Sequence, residues 1–231
     1  MIRPYLARLA RELDFDPVLA RQVEREVEDH LWEAVERDPS ADSQEAEQRA
    51  VTRFGDPRAI AAQFAVVSLA AVARRVGLAA VLLIAAVFIA MKARLAWYGV
   101  VPFPLAEEAR ALGETVLAID RWAFWLAVMA GLAGWMYIGG RRPPGSFTRE
   151  YSVQLRRFSL LSSAAAVALV VCVAADGVLT SLRLIGAQWS IAFLVPLISV
   201  AIEIVCAAVL VSCLRAMARH ASRTARLAPA P

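Results

Sequence analysis

The sequence predicts an all-α protein, a small helical head in water followed by a four-helix transmembrane bundle. Three observations predict it. First, 59% of the 231 residues are hydrophobic and the mean hydropathy is +0.55, whereas an ordinary soluble domain is roughly 45–50% apolar. Second, charge is concentrated in residues 1–58 and the remainder reads as long apolar blocks. Third, four of those blocks approach the about 20 apolar residues that a helix needs to cross a bilayer. The division is a head at 1–65 and a membrane domain at 66–231, with spans at about 76–97, 122–140, 158–179 and 189–214 and a basic C-terminal tail.

The head reads as four short helices. The first covers about Ile2–Leu13, with Leu6, Leu9 and Leu13 on one face. Asp16-Pro17 is a start signal, an N-cap acid followed by a proline at the first helical position. From Pro17 to about Arg37, Leu19, Val23, Val27, Leu31 and Val35 recur every four residues as one apolar stripe. Asp38-Pro39-Ser40-Ala41 reads as a turn. Asp42 with Glu45 three residues on resembles a capping box. The third helix turns Ala46, Ala50 and Phe54 inward and ends at Gly55, a usual place for glycine. Asp56-Pro57 repeats the start signal, with Ile60, Ala61 and Phe64 facing the core. A head of about 60 residues has a marginal core of its own, so a partner is expected: a second copy, the membrane surface or another protein.

The first span is uncharged over Val76–Met91 and continues through Lys92 and Arg94 to Trp97-Tyr98. Lys92 and Arg94 are expected to snorkel to the far interface, where the two aromatic rings also sit well. Trp122–Ile138 and Phe158–Ala175 form the cores of the second and third spans. The fourth runs from about Trp189 to Leu214 and is interrupted by Pro196, expected to kink it, and by Glu203. Between the first two spans, Pro104 with Glu107 and Glu108 predicts a separate short helix on the membrane surface, carrying Leu105, Ala109, Leu112, Val116 and Ile119. Asp176 and Arg183 read as an interfacial pair bracketing a short loop. Ala127 with Gly131, and Ala130 with Gly134, are small residues four apart that permit close helix contact or dimerisation.

Lys and Arg near the spans set the orientation. With the N-terminus inside, the inner flanks hold eleven (Arg74, Arg75, Arg141, Arg142, Arg149, Arg156, Arg157, Arg215, Arg219, Arg223 and Arg226) and the outer flanks five (Lys92, Arg94, Arg110, Arg121 and Arg183). The expectation is a multi-pass protein of the cell inner (plasma) membrane with both termini cytosolic. The start, Met1-Ile2-Arg3-Pro4, leads into charged helix and lacks the pattern of a signal peptide. Residues 1–75 hold eleven Arg against fourteen acids. The net charge of +4 therefore comes from the membrane flanks and the tail, which speaks for anionic lipid and against direct nucleic-acid contact.

Catalytic chemistry finds little support. Cys172, Cys206 and Cys213 lie in apolar segments and form no C-x-x-C pair, so they read as buried thiols. His30 shares a helical face with Glu26 and Glu33, but without a second His or Cys this reads as ion pairing rather than a zinc site. No phosphate-binding glycine loop, H-E-x-x-H or G-x-S-x-G occurs. No enzyme activity, metal or cofactor is expected. Glu203 is the one acid well inside a predicted span. It is expected either to be protonated and bonded to a neighbouring helix, or to line a proton or ion path.

The run Val27-Glu28-Asp29-His30-Leu31-Trp32-Glu33-Ala34, then Ala46, Ala50, Phe54-Gly55-Asp56-Pro57, Ile60, Ala61 and Phe64, resembles the HAAS signalling domain, also known in a close relative as the permease prefix domain. The resemblance covers about residues 1–65. It implies a small membrane protein working with a transcription regulator (a PadR-like repressor or an extracytoplasmic-function sigma factor), or a head placed before an efflux-type permease. The large extracytoplasmic domain of such permeases has no counterpart here. The expected function is a non-enzymatic membrane-anchored regulator whose head binds a cytosolic protein, or another copy of itself, through Val27, His30, Leu31, Trp32, Phe54 and Phe64. The alternative is a permease-accessory or small transport subunit that uses Glu203.

Overall fold

The computed structural model describes residues 1–38, 42–101, 107–139, 148–185 and 190–227. The Pro39-Ser40-Ala41 turn, Pro104, Leu105, Arg141, Arg142 and Trp189, each of which carried an expectation, lie outside the described residues, as do the side chains of Glu108 and Arg149. Among the described residues seven α-helices follow in order: α1 (Ile2–Glu12), α2 (Pro17–Glu36), α3 (Ser43–Phe54), α4 (Pro57–Val100), α5 (Arg110–Gly139), α6 (Arg149–Leu184) and α7 (Leu194–Leu227). Three are short and four are long and apolar enough to cross a membrane.

The helix starts follow from the predicted caps. Asp16 Oδ1 accepts from the Leu19 N–H at 3.0 Å, so the exposed first turn of α2 has a partner, and Pro17 needs none. Asp42 Oδ1 accepts from the Gln44 N–H at 2.8 Å at the start of α3. Glu45, placed for the return bond of a capping box, instead faces Arg49 at 3.9 Å. Gly55 ends α3 with φ 101°, in the region that suits glycine because a Cβ would clash there. Asp56 then opens α4 and accepts from the Arg58 N–H at 3.4 Å.

The chain divides into two units. The first holds Met1–Val72, Arg142–Val153 and Met217–Pro231. Its core gathers Tyr5, Leu6, Leu9 and Leu13 from α1, Val23, Val27 and Leu31 from α2, Ala50 from α3, and Ala61, Ala62 and Ala65 from α4. The fourth head helix is thus the beginning of α4, a single helix from Pro57 to Val100 that also contains the first span. The same core takes in Leu227, from the last turn of α7. The tail, read in sequence as basic and lipid-facing, thereby supplies apolar surface that a 60-residue head lacks. Nearby, Arg58 Nη2 donates to the Arg226 carbonyl oxygen at 2.9 Å, which satisfies an acceptor left open at the helix end.

The second unit holds Ala73–Arg141 and Gln154–Ala216. Its core is built from small and medium residues: Ala80, Ile84 and Val87 of α4, Ala123 and Ala127 of α5, Ala166 and Leu169 of α6, and Cys206, Ala207 and Leu210 of α7. On α4 the buried positions Val76, Ala80, Ile84, Val87, Ala90 and Arg94 recur at three or four residues, one face of one helix. Gly131 and Gly134 are buried within the unit, and a Cβ on Gly131 would stand 2.7 Å from Ile84 Cδ1. These small residues bring α5 against its own neighbours. Pro196 lies in the first turn of α7, where a missing N–H costs no bond, so it starts the helix rather than bending it. The separate surface helix expected before the second span is the first part of α5, preceded by a short turn at Glu107–Ala109.

Leu31 is fully buried in the head. Leu31→Ala is expected to destabilise the head by about 2–5 kcal/mol. Faster amide hydrogen exchange across α1–α3, with no change in the membrane helices of the second unit, would show it; unchanged exchange in α1–α3 would contradict the packing.

Candidate functional site

Four long helices with mostly apolar cores nevertheless bury a connected set of charged and polar side chains. Arg94 of α4 is 2% exposed, Asp120 of α5 5%, Asp176 of α6 6% and Glu203 of α7 0%. The Arg94 guanidinium pairs with Asp176 through one terminal nitrogen, and with Glu203 Oε1 at 3.1 Å through the other. One cation thus joins three helices. The Ser199 hydroxyl, one turn before Glu203, stands 3.0 Å from Glu203 Oε1 and 2.9 Å from the Ala90 carbonyl oxygen of α4. On the remaining side the Cys172 thiol donates to Asp120 Oδ1 at 2.9 Å and ties α5 to α6.

Asp120, Asp176 and Glu203 all act electrostatically on Cys172, so these groups form one neighbourhood. They come from the later part of α4 and α6 and the earlier part of α5 and α7, the same end of an up-and-down bundle. Glu203 lies nine residues past Leu194, the start of α7, about 13 Å along a helix that rises 1.5 Å per residue. The network is therefore within the apolar region rather than at its edge. In lipid no water is available to satisfy these groups, so they must satisfy one another.

Two sequence expectations change here. Arg94 does not snorkel; it turns into the bundle and pairs with acids. Asp176 pairs with Arg94 rather than with Arg183, whose guanidinium lies over the Tyr98 ring at 4.5 Å. Lys92 remains exposed, with its ammonium 5.5 Å from the Phe88 ring centre. Glu203, the acid singled out in sequence, sits in the network. Arg94, Asp120, Cys172, Asp176 and Ser199 are the members that sequence reasoning missed.

The head residues expected to meet a partner separate into two groups. Val27 and Leu31 are buried in the core and hold the head together. Phe54 and Phe64 are half-buried against that core, and Phe54 meets Tyr5 edge-on at 6.1 Å. His30 and Trp32 are exposed, with Trp32 at 42% and Glu26, Asp29, Glu33 and Glu36 exposed on the same helix. His30 Nδ1 is 3.8 Å from Glu33 Oε2. Among the described residues, no three His, Cys, Asp or Glu come together as a metal site.

His220 belongs to the first unit. The apolar stretch of α7 ends at Leu214, and Arg215, Arg219, Arg223 and Arg226 follow, so His220 lies outside the membrane-spanning part. Its ring meets Phe15 edge-on at 5.1 Å, and its Nε2 is buried without a hydrogen bond among the described residues. Burial holds the imidazole below the ordinary histidine value; Asp16 pulls it back up and Arg223 pushes it further down.

Two predictions follow from the charges. Removing Arg94 leaves buried carboxylates uncompensated, so Arg94→Met is expected to destabilise the bundle by about 3–5 kcal/mol. Adding Asp176→Asn to it should recover most of the loss, measured as the midpoint of detergent-induced unfolding. The same midpoint in Arg94→Met and wild type would contradict the ion pairs. For His220, the neutral folded form binds fewer protons than the unfolded chain. The contact with Phe15 is thus complete above about pH 6.5, the ordinary histidine value, and weakens as pH falls below it. Protease protection of residues 217–227 should drop on acidification, and His220→Phe should abolish that pH dependence.

Residues 5–63 match the HAAS family model. Comparison with curated proteins and with solved structures returns no match. The sequence pattern, the three short helices and the family model coincide on the same segment: the chain is a HAAS-domain protein, with that domain at residues 5–63 and four candidate membrane-spanning helices.

Proposed function

We propose that the chain is a non-enzymatic, membrane-anchored regulatory protein whose HAAS head binds a cytosolic protein. One observation carries this reading: the core of the head is completed by the ends of two membrane helices, Ala61, Ala62 and Ala65 of α4 and Leu227 of α7. A partner bound to a head built in this way bears on a core that includes those two helix ends. The excess of arginine on one set of flanks supports a cytosolic head and cytosolic termini in the inner membrane.

The surface that suits a partner is the outer face of α2. Trp32 offers a large amphipathic ring, a residue type favoured at binding hot spots, within a fringe of Glu26, Asp29, Glu33 and Glu36. Its complement is an apolar pocket with a basic rim. The HAAS resemblance points to a PadR-like repressor or a sigma factor as the owner of that pocket. The transport reading has weaker support. Glu203 is engaged by Arg94 and Ser199, and the wide groove along α5 and α6 is lined mostly by apolar side chains such as Trp122, Leu126, Leu160 and Val167, with hydroxyls at Thr115 and Ser163 and no charged group.

The test is affinity capture of the full-length protein in mild detergent from its own cells, with a photo-reactive residue in place of Trp32 to fix the contact. A DNA-binding regulator or sigma factor should be retained, and Trp32→Ala should weaken its binding about 10-fold or more with the head still folded. Wild-type protein that retains no such partner, or a Trp32→Ala variant that binds as well as wild type, would sink the proposal.

A further inference from the structure

The buried network contains more acid than base. Arg94 supplies one positive charge, and Asp120, Asp176 and Glu203 supply three carboxyl groups. Fully ionised, it would carry an excess of two negative charges inside an apolar bundle. Isolated charge in such a medium is so costly that groups neutralise instead, and carboxylates sharing one site do not all ionise together. The carboxyl groups that Arg94 does not balance therefore call for a proton or a small cation.

Hydrogen-bond geometry shows where a proton belongs. The Ser199 hydroxyl has one hydrogen, yet its oxygen stands at hydrogen-bond distance from two acceptors, the Ala90 carbonyl at 2.9 Å and Glu203 Oε1 at 3.0 Å. That single hydrogen can serve only one of the two acceptors. A hydrogen on the Glu203 carboxyl makes both short contacts hydrogen bonds at once, Glu203 donating to Ser199 Oγ while Ser199 donates to the Ala90 carbonyl. Arg94 Nη1 at 3.1 Å reaches the same Glu203 oxygen. The other oxygen, Oε2, is buried and takes no hydrogen from Ser199 or Arg94, and the Asp176 carboxyl stands against the Glu203 carboxyl. Burying such an oxygen without a donor costs an ionised carboxylate more than a neutral acid, and a second carboxyl beside it favours one shared proton.

We propose that this network is a proton-binding site, with an exchangeable proton held on the Glu203 carboxyl between Ser199 and Arg94. The groups facing it from every packed helix are then assigned. Arg94 of α4 remains charged against Asp176 of α6. Ser199 of α7 accepts from Glu203 and donates to α4. Cys172 of α6 donates to Asp120 of α5. Loss of the proton would leave two carboxylates on one guanidinium and break the Ser199 relay between α7 and α4. The inference depends only on the second unit lying in lipid and not on what the head binds, so partner capture and proton binding succeed or fail separately.

The experiment is infrared difference spectroscopy on the full-length protein in nanodiscs of phosphatidylethanolamine and phosphatidylglycerol, with exchange from H2O to D2O. Carboxylates are silent in the protonated-carboxyl region, where a carboxyl that holds an exchangeable proton absorbs. Wild-type protein is expected to show a protonated-carboxyl band that shifts in D2O. Glu203→Gln should remove it, and Ser199→Ala, which keeps the charges, should move its frequency. Exchange of potassium for sodium at fixed pH should leave it in place. Absence of the band in wild type overturns the proposal, whether or not any variant folds. Persistence in Glu203→Gln overturns the assignment to Glu203, and disappearance in sodium would make the site one for a metal cation instead.

Discussion

Everything in the second unit depends on one constraint: a charge taken into hydrocarbon must find its partner within the protein. Arg94 meets that constraint by pairing with Asp176 and Glu203, which come from two other helices. A buried ion pair of this kind contributes little net stability against well-packed apolar residues, because both ions lose their water. Its effect is instead on arrangement. The pairing is satisfied only when α4, α6 and α7 stand in one register, and Asp120 with Cys172 extends that requirement to α5.

The head obeys the opposite constraint. It sits in water with too few residues for a generous core, and every apolar side chain it can enclose matters. α1 contributes Leu6, Leu9 and Leu13 and α2 contributes Val23, Val27 and Leu31, yet the core closes only with alanines from the start of α4 and with Leu227 from the end of α7. A single uninterrupted helix leaves the head, and the end of the last helix returns to it.

How much of this could be read in the sequence depends on the range of the interaction. The caps at Asp16 and Asp42, the glycine stop at Gly55 and the stripe from Val23 to Leu31 are local, and each stands where spacing puts it. The membrane helices are legible too, since length and composition alone define them. What failed was long-range pairing. Read on its own helix, Arg94 has only an interface to reach, and Asp176 has only Arg183; their true partners lie on other helices and no local rule names them. A signal did exist. Cys172 with Asp176 and Ser199 with Glu203 are polar pairs at helical spacing on otherwise apolar faces, which marks a buried polar stripe rather than an interface. The tail held a similar clue. Arg215, Arg219, Arg223 and Arg226 share one face, and Met217, Thr224 and Leu227 are buried on another. That is the pattern of a packed helix rather than of a loose basic tail.

The small-residue faces and the polar network explain each other. In lipid there is no hydrophobic drive between helices, and alanine- and glycine-rich faces such as those of α4, α5 and α6 approach closely in more than one register. Sliding a helix by one turn, about 5.4 Å, would exchange one alanine contact for another at small cost. The same slip would carry Arg94 away from Asp176, or Asp120 away from Cys172, and leave a polar group facing hydrocarbon. Apolar packing thus supplies the closeness of the bundle, while the few buried polar groups on its helices supply its uniqueness. A bundle specified by so few groups is also one in which a single change of charge, made at the network, alters what holds the four helices in place.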